Sequence, residues 1–371
     1  MDVLIDGIIY QGQPHGGIVR LYNEILPRMC KMSDSLQVTL VTSGRCVQPL
    51  PAHARIRHIS VLPIERFLRP GRLWGWVAPR MRAFAQRLHL GGKTEEIWHS
   101  TYYTMPMGWK GPRVITAVDM IHEHLPNLFG ADGREIRRQK DRCLGAADAI
   151  IAISRTTAED LQQFYGIEKD RIWMIPLACS DTFLQSDGLQ SGPTRRKGRP
   201  FLLYVGIRSK YKNTDLMIKA YSQWRHRREV DLIVVGRPWS SEEIRELAAL
   251  NIEDRVHLLG YVDDQKLVDL YRRAAAFVYP SLYEGFGVPV LEAMACGCPV
   301  IGSRIPSTIE IAEECPIYFD PVDMDALVVA FEVALSEGRN SERVRHGLDR
   351  VRQYSWDRTA RETLDVYKAV S

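Results

Sequence analysis

Short apolar runs alternate with longer amphipathic stretches along most of the chain. In the first half VLIDGIIY, LQVTLVTS, IRHISVL, EIWHST, RVITAVD, AIIAIS and RIWMIPLA predict strands, and GIVRLYNEILPRMCKM predicts a helix. Apolar runs with little polar alternation suit strands buried on both faces, which implies a parallel sheet with crossover helices. The polar, glycine-containing stretch QSDGLQSGPTRRKGRP (185–200) has no apolar period and predicts a linker.

The alternation resumes with FLLYVG, DLIVVG, VHLLGYV, AAFVYPS, PVIGS and PIYFD. Between these runs LMIKAYSQWRH, SEEIRELAAL, DQKLVDLYRRA and VPVLEAMACG carry helical patterns. The expected class is α/β, with two doubly wound domains at 1–185 and 201–355, a linker at 186–200 and a closing helix at 356–371. That helix carries Trp356, Ala360, Leu364, Val366 and Tyr367 roughly on one face behind Ser355, and can return to the first domain. Two such domains facing across a cleft would bind a ligand at the carboxyl ends of their strands.

Composition narrows this little: 45% hydrophobic and 25% charged residues in 371 exclude disordered, collagen-like and coiled-coil chains. The start, MDVLIDGIIY, has no basic leader, and no apolar run is long enough for a membrane span, so a cytoplasmic chain is expected. Cys30, Cys46, Cys143, Cys179, Cys296, Cys298 and Cys315 are scattered without C-x-x-C spacing, which predicts reduced, mostly buried thiols and no metal site. The net charge of +4 is uneven: 66–93 holds Arg66, Arg69, Arg72, Arg80, Arg82 and Arg87 among Phe67, Trp74, Trp76 and Phe84. This mixture suits the anionic inner face of a membrane, or the solvated side of an amphipathic helix; no motif for nucleic acid accompanies it.

The candidate chemistry lies in SLYEGFGVPVLEAMACGCPVIGS, 281–303, where Glu284 and Glu292 flank a glycine-rich break. Leu282 to Gly287 read as a loop and Pro289 as the opening of a helix, with Glu292 expected in its first turn. Gly285 and Gly287 free backbone N–H groups to meet an anion, and a helix N-terminus adds unpaired amides and a partial positive charge. Carboxylates on either side accept hydrogen bonds from hydroxyls, the layout of a ligand whose phosphates lie between hydroxyl-bearing groups. Taken alone, the same pair equally fits a dipole-complementing Glu292 and a surface-paired Glu284.

PSLYEGFGVPVLEAMACGCPVI closely resembles the E-x7-E signature of the family 4 retaining glycosyltransferases, which have two Rossmann-like domains, the GT-B fold. That group includes bacterial mannosyl- and rhamnosyltransferases. The resemblance runs through GGIVRLYNEIL, VITAVDMIHEHLPNLF, ADAIIAISRTTAEDL, RIWMIPLACSDTF, LYVGIRSKYKN and VHLLGYV, in the family's order. It implies that Glu284 faces the donor sugar, that Glu292 binds the ribose, and that amides around Gly285, Phe286, Gly287 and Val288 take the diphosphate. Arg208 and Lys212 of GIRSKYKN would meet the β-phosphate, Tyr261 and Val262 would bracket the base, and Gly16 and Gly17 match the glycine pair of the first domain.

The family's His-Asp pair is altered, with Val118 and Asp119 in its place; Asp119 and the nearby His122 are the catalytic candidates on that side, and His99, with Tyr102 and Tyr103, would face the acceptor. Asp323-Met324-Asp325 imitates a metal-binding D-x-D but reads as a helix cap. The activity implied is metal-independent, retaining transfer of a hexose, mannose from GDP-mannose, onto a sugar hydroxyl of a surface polysaccharide or glycolipid precursor. No cofactor is implied beyond the nucleotide-sugar donor; the partners implied are that donor and a glycan or lipid-linked glycan acceptor. UDP-glucose, UDP-N-acetylglucosamine or dTDP-rhamnose would leave the same motifs, as would a nucleotide-sugar epimerase or a non-catalytic donor-binding relative.

Overall fold

The structure, a computed structural model, describes residues 1–11, 17–43, 45–61, 96–106, 108–185 and 198–371. Gly16, the basic and aromatic stretch 66–93 and most of the linker lie outside the described residues. The chain divides into two compact units, Met1–Leu177 with Trp356–Ser371, and Ala178–Ser355.

In the first unit the apolar runs form β1 (Asp2–Asp6), β2 (Gln37–Ser43), β3 (Ile56–Val61), β4 (Ile97–Ser100), β5 (Arg113–Ala117), β6 (Ala149–Ala152) and β7 (Ile172–Met174). They pair in parallel in the order β3-β2-β1-β4-β5-β6-β7. β4 and β6 are buried throughout, which explains why their runs show no alternation. The run VLIDGIIY does not continue as one strand. Asp6 Oδ1 accepts the Ile8 amide at 3.0 Å, and the chain turns into a short 3-10 helix, Ile8–Gln11. The turn needs Gly7, because a Cβ there would lie 2.6 Å from Thr42 Cγ2 and 2.8 Å from the Val41 carbonyl oxygen.

The closing helix Trp356–Val370 packs against Gly17–Met32 of the first unit. Thr359 Oγ1 donates to the Pro176 carbonyl at 2.7 Å, and Arg28 pairs with Asp357 at 3.0 Å. Deeper in, Tyr367 Oη lies 2.5 Å from His99 Nδ1, while His99 Nε2 meets Thr116 Oγ1 at 2.8 Å and Tyr22 Oη at 3.2 Å. His99 is completely buried. It therefore does not face an acceptor, as its place at a strand end suggested; its ring nitrogens are taken up by core hydroxyls.

Burial holds the His99 imidazole down to about 3, against an ordinary 6.5. With the folded value depressed, the unfolded chain takes up the proton first on acidification, so stability present above pH 6.5 is lost as pH falls towards about 3. The loss is expected at up to about 1.4 kcal/mol per pH unit. Urea unfolding at about pH 7 and about pH 5 should show a steeper decline for the native chain than for His99→Gln; equal slopes would exclude His99 as the source.

The second unit contains β8 (Phe201–Val205), β9 (Asp231–Val235), β10 (Val256–Leu259), β11 (Ala276–Tyr279), β12 (Val300–Ser303) and β13 (Ile317–Phe319), all parallel, in the order β10-β9-β8-β11-β12-β13. Its core joins Leu202, Leu232, Val234 and Val278 of the sheet to Met217 and Phe331 of the covering helices and to Trp224, just past the helix Thr214–Gln223. The short helix Asp181–Leu184, assigned from sequence to the first domain, belongs here instead: Phe183 is fully buried, edge-on to Tyr271 at 6.2 Å. An aromatic anchor of that size outweighs its position on the near side of the linker. All seven cysteines are free. Among the described residues no helix is long and apolar enough to cross a membrane.

Candidate functional site

In the second unit the strand order reverses between β8 and β11, and the segments leaving their carboxyl ends are 206–213 and 280–287. Doubly wound sheets bind ligands at such a reversal because the crossover connections diverge there and leave a crevice. The two segments are joined by backbone, Leu282 N to Tyr211 O at 2.8 Å, and by side chain, Lys212 Nζ to Glu284 Oε1 at 2.6 Å. Lys212 and Glu284 are thus brought together across 72 residues of sequence. Their side chains are 16% and 13% exposed, enclosed but within reach of a ligand.

Aromatic rings line this pair. Lys212 Nζ lies 5.3 Å from the Tyr211 ring centre and 5.6 Å from that of Tyr279, and burial, with the nearby Glu284 charge, raises the Tyr279 phenol well above its ordinary value. Burial works against the Lys212 charge, but the Glu284 carboxylate more than offsets it, and the ammonium is held well above the ordinary lysine value. The result is a permanent cation with one of its three donors committed to a carboxylate.

Past Glu284 the chain reaches Gly287, whose φ of 149° suits glycine, and enters the helix Val288–Ala295 with Pro289 in its opening turn. No side chain caps this helix. Its opening amides can therefore meet an anion, aided by the dipole. Phe286 is buried edge-on against Tyr354 at 5.9 Å, so only its backbone is available to a ligand. Glu292 does not lie in the first turn, which holds no acid; it follows one turn later, buried, and accepts from Tyr271 Oη at 3.3 Å. Tyr261 is exposed and Val262 half-buried in the turn after β10.

Arg208, the second cation expected at the β-phosphate, is buried and, like Lys212, paired with a glutamate. Its guanidinium packs on the loop after β9: Nε donates to Glu243 Oε1 at 2.7 Å, Nη2 donates to the Pro238 carbonyl at 2.9 Å, and the group stacks 4.0 Å from the Trp239 ring centre, while Nη1 is buried without a hydrogen-bond partner among the described residues. Its side chain is 1% exposed. Glu243 also closes the capping box of the helix Ser241–Ala249, accepting the Ser240 amide at 2.6 Å. Burial opposes the Glu243 charge, yet Arg208 and Ser240 outweigh it and hold the carboxyl below the usual carboxylate range. S-x-x-E at 240–243 was readable as a capping box; that its acid also takes Arg208 was not. Asp323 caps Met324–Glu337, accepting the Ala326 amide at 2.9 Å, as the sequence predicted for the false D-x-D.

In the first unit Gly17 opens the helix Gly17–Met32. Val118 is buried at the end of β5, and Asp119 follows with Oδ1 accepting the Ile121 amide at 3.2 Å. His122 turns inward: its ring lies 4.4 Å from that of Phe129, it is buried, and burial lowers its basicity. Its Nδ1 is buried without a hydrogen-bond partner among the described residues. Sequence reasoning missed what pins the segment. Lys140, fully buried, donates to the Asp119 carbonyl at 2.9 Å and to Glu123 Oε2 at 2.9 Å, and Tyr165 Oη donates to the other Glu123 oxygen at 2.5 Å.

Comparison with known proteins agrees with the sequence motifs. Residues 15–180 match the family described as Glycosyltransferase Family 4, and residues 189–347 the family described as Glycosyl transferases group 1. The chain is 30% identical over 391 aligned positions to a D-inositol 3-phosphate glycosyltransferase of Acidothermus cellulolyticus, covering 95% of this chain and 85% of that one. It is 29% identical over 304 to O-antigen chain mannosyltransferase B of Escherichia coli, covering 78% and 77%. Among solved structures it resembles sucrose-phosphate synthase from Thermosynechococcus elongatus with a TM-score of 0.76 at 19% identity, covering 99% and 98%. Motifs, matched segments and the pair of parallel sheets together establish that the chain belongs to the family 4 glycosyltransferases and has the two-domain GT-B fold.

Proposed function

We propose that this glycosyltransferase moves a hexose, mannose from GDP-mannose, onto a sugar hydroxyl of a surface polysaccharide or glycolipid precursor, with retention at the anomeric carbon and without a metal ion. The carrying observation is the Lys212–Glu284 pair at the strand-order reversal, beside an uncapped helix N-terminus. Lys212 and the amides at 285–288 would receive the diphosphate, supplying by fixed charge what a metal supplies elsewhere. Glu284 would accept hydrogen bonds from the sugar hydroxyls, Glu292 would reach the ribose, and the turn at Tyr261 and Val262 would border the base. In the transfer step the bond from the anomeric carbon to the diphosphate oxygen breaks, a bond to the acceptor oxygen forms on the same face, and the acceptor proton passes to the departing diphosphate. No side chain needs to form a covalent intermediate; positioning and charge provide the rate.

The choice of mannose draws on the Escherichia coli relative's name. The Acidothermus relative, which matches more of this chain, favours a second reading with inositol 3-phosphate as acceptor. A screen of GDP-mannose, UDP-glucose, UDP-N-acetylglucosamine and dTDP-rhamnose against mannosyl glycans and inositol 3-phosphate, with the product linkage read by NMR, separates these. Turnover without an acceptor would indicate an epimerase, and binding without turnover a non-catalytic relative. Lys212→Ala is expected to weaken nucleoside diphosphate binding by about 1.5 to 3 kcal/mol, the range for charge-assisted hydrogen bonds. Unchanged calorimetric affinity would remove Lys212 from the phosphate site.

A further inference from the structure

The Lys212–Glu284 pair has a consequence for what leaves the site. A diphosphate arriving at Lys212 meets an ammonium already committed to a carboxylate at 2.6 Å, and it must compete with that carboxylate and tolerate its charge. With side chains 16% and 13% exposed, the two charges are partly shielded from water, so each acts strongly on a neighbouring anion. The pair bridges segments held together by the Leu282 amide and the Tyr211 carbonyl at 2.8 Å, which limits how far the two groups can separate.

Intact donor and spent product differ here. In a nucleotide sugar the terminal phosphate is esterified, and the sugar beyond it carries hydroxyls that can donate to Glu284. In the nucleoside diphosphate left after transfer those donors are gone, and the terminal phosphate gains nearly one further negative charge. The same carboxylate therefore meets hydrogen-bond donors before transfer and an anion after it.

We propose that Glu284 selects against the product: paired with Lys212, it lowers affinity for a nucleoside diphosphate relative to the intact nucleotide sugar and so drives release of the spent nucleotide. This rests on the reading of the site as a nucleotide-sugar site. It assigns Glu284 a second task, distinct from contact with the transferred sugar, and it makes the Lys212–Glu284 distance the quantity that sets product affinity.

The test is calorimetric titration of the full chain with GDP and GDP-mannose, and with UDP and UDP-glucose in parallel. Glu284→Gln keeps the side-chain shape and an oxygen that can accept from Lys212 while removing the charge. It should bind the nucleoside diphosphate at least tenfold more tightly, about 1.4 kcal/mol, and bind the sugar nucleotide no more tightly than the native chain. General damage to the site would weaken both. In a Lys212→Met background the gain from Glu284→Gln should shrink, since the freed ammonium supplies part of it. Glu284→Ser provides the same comparison should the glutamine variant fail to fold. A native chain that binds nucleoside diphosphate, with folded variants that gain no affinity, overturns this inference and leaves the site reading standing. A native chain that binds none of the four nucleotides overturns both.

Discussion

Glu284→Ala is expected to abolish sugar transfer, by about 10²- to 10³-fold at least, the loss typical of removing one charge-oriented partner from an active site. Two effects combine. The carboxylate that would read the sugar hydroxyls is lost, and Lys212, enclosed and paired at 2.6 Å, loses the group that fixes its position. A misplaced ammonium stabilises the departing diphosphate less well, because catalysis by fixed charge depends on alignment set before the reaction. Initial rates with the donor identified by the screen, together with a thermal melt, check this. A folded Glu284→Ala variant with native turnover would exclude Glu284 from the chemistry. Glu284→Gln retains an acceptor for Lys212 and separates loss of charge from loss of packing.

The second large effect concerns stability. Arg208→Ala should lower the unfolding free energy of the second unit by about 3 to 5 kcal/mol, the cost of removing one partner from a buried ion pair. Glu243 would lose the 2.7 Å hydrogen bond that helps hold it ionised, Trp239 would lose the guanidinium stacked on its face, and the Pro238 carbonyl would lose a donor. Arg208→Lys should restore little, because a lysine cannot present the planar fork that meets all three. Urea unfolding of both variants measures this. A fully stable Arg208→Ala would remove this pair from the support of the fold, and nucleotide titration of the folded variant tests the phosphate role separately.

Much of the fold was legible because it depends on local periodicity. Each of the thirteen apolar runs contains a strand, since burial on both faces leaves a mark on every residue of a strand. The loop, glycines and proline of 282–289 likewise announce a helix start, because backbone conformation there is decided within a few residues. The candidate site was legible only through resemblance. Nothing in the spacing of Lys212 and Glu284 links residues 72 positions apart, and the motif that named both did not predict that they would bind each other. Arg208 reads in sequence like Lys212, a cation four residues earlier in the same loop, and His99 reads like a strand-end ligand; their partners, Glu243 and Tyr367, lie 35 and 268 residues away.

The amino-acid sequence by itself determined the two parallel sheets, the glycines at tight approaches and the uncapped helix start, because these follow from steric and hydrophobic preferences that each short segment carries with it. The tertiary structure alone decided which charges pair: Arg208 with Glu243, Lys140 with Glu123, and Lys212 with Glu284. Ion pairing depends on distance through space and on exclusion of water, and chain separation encodes neither.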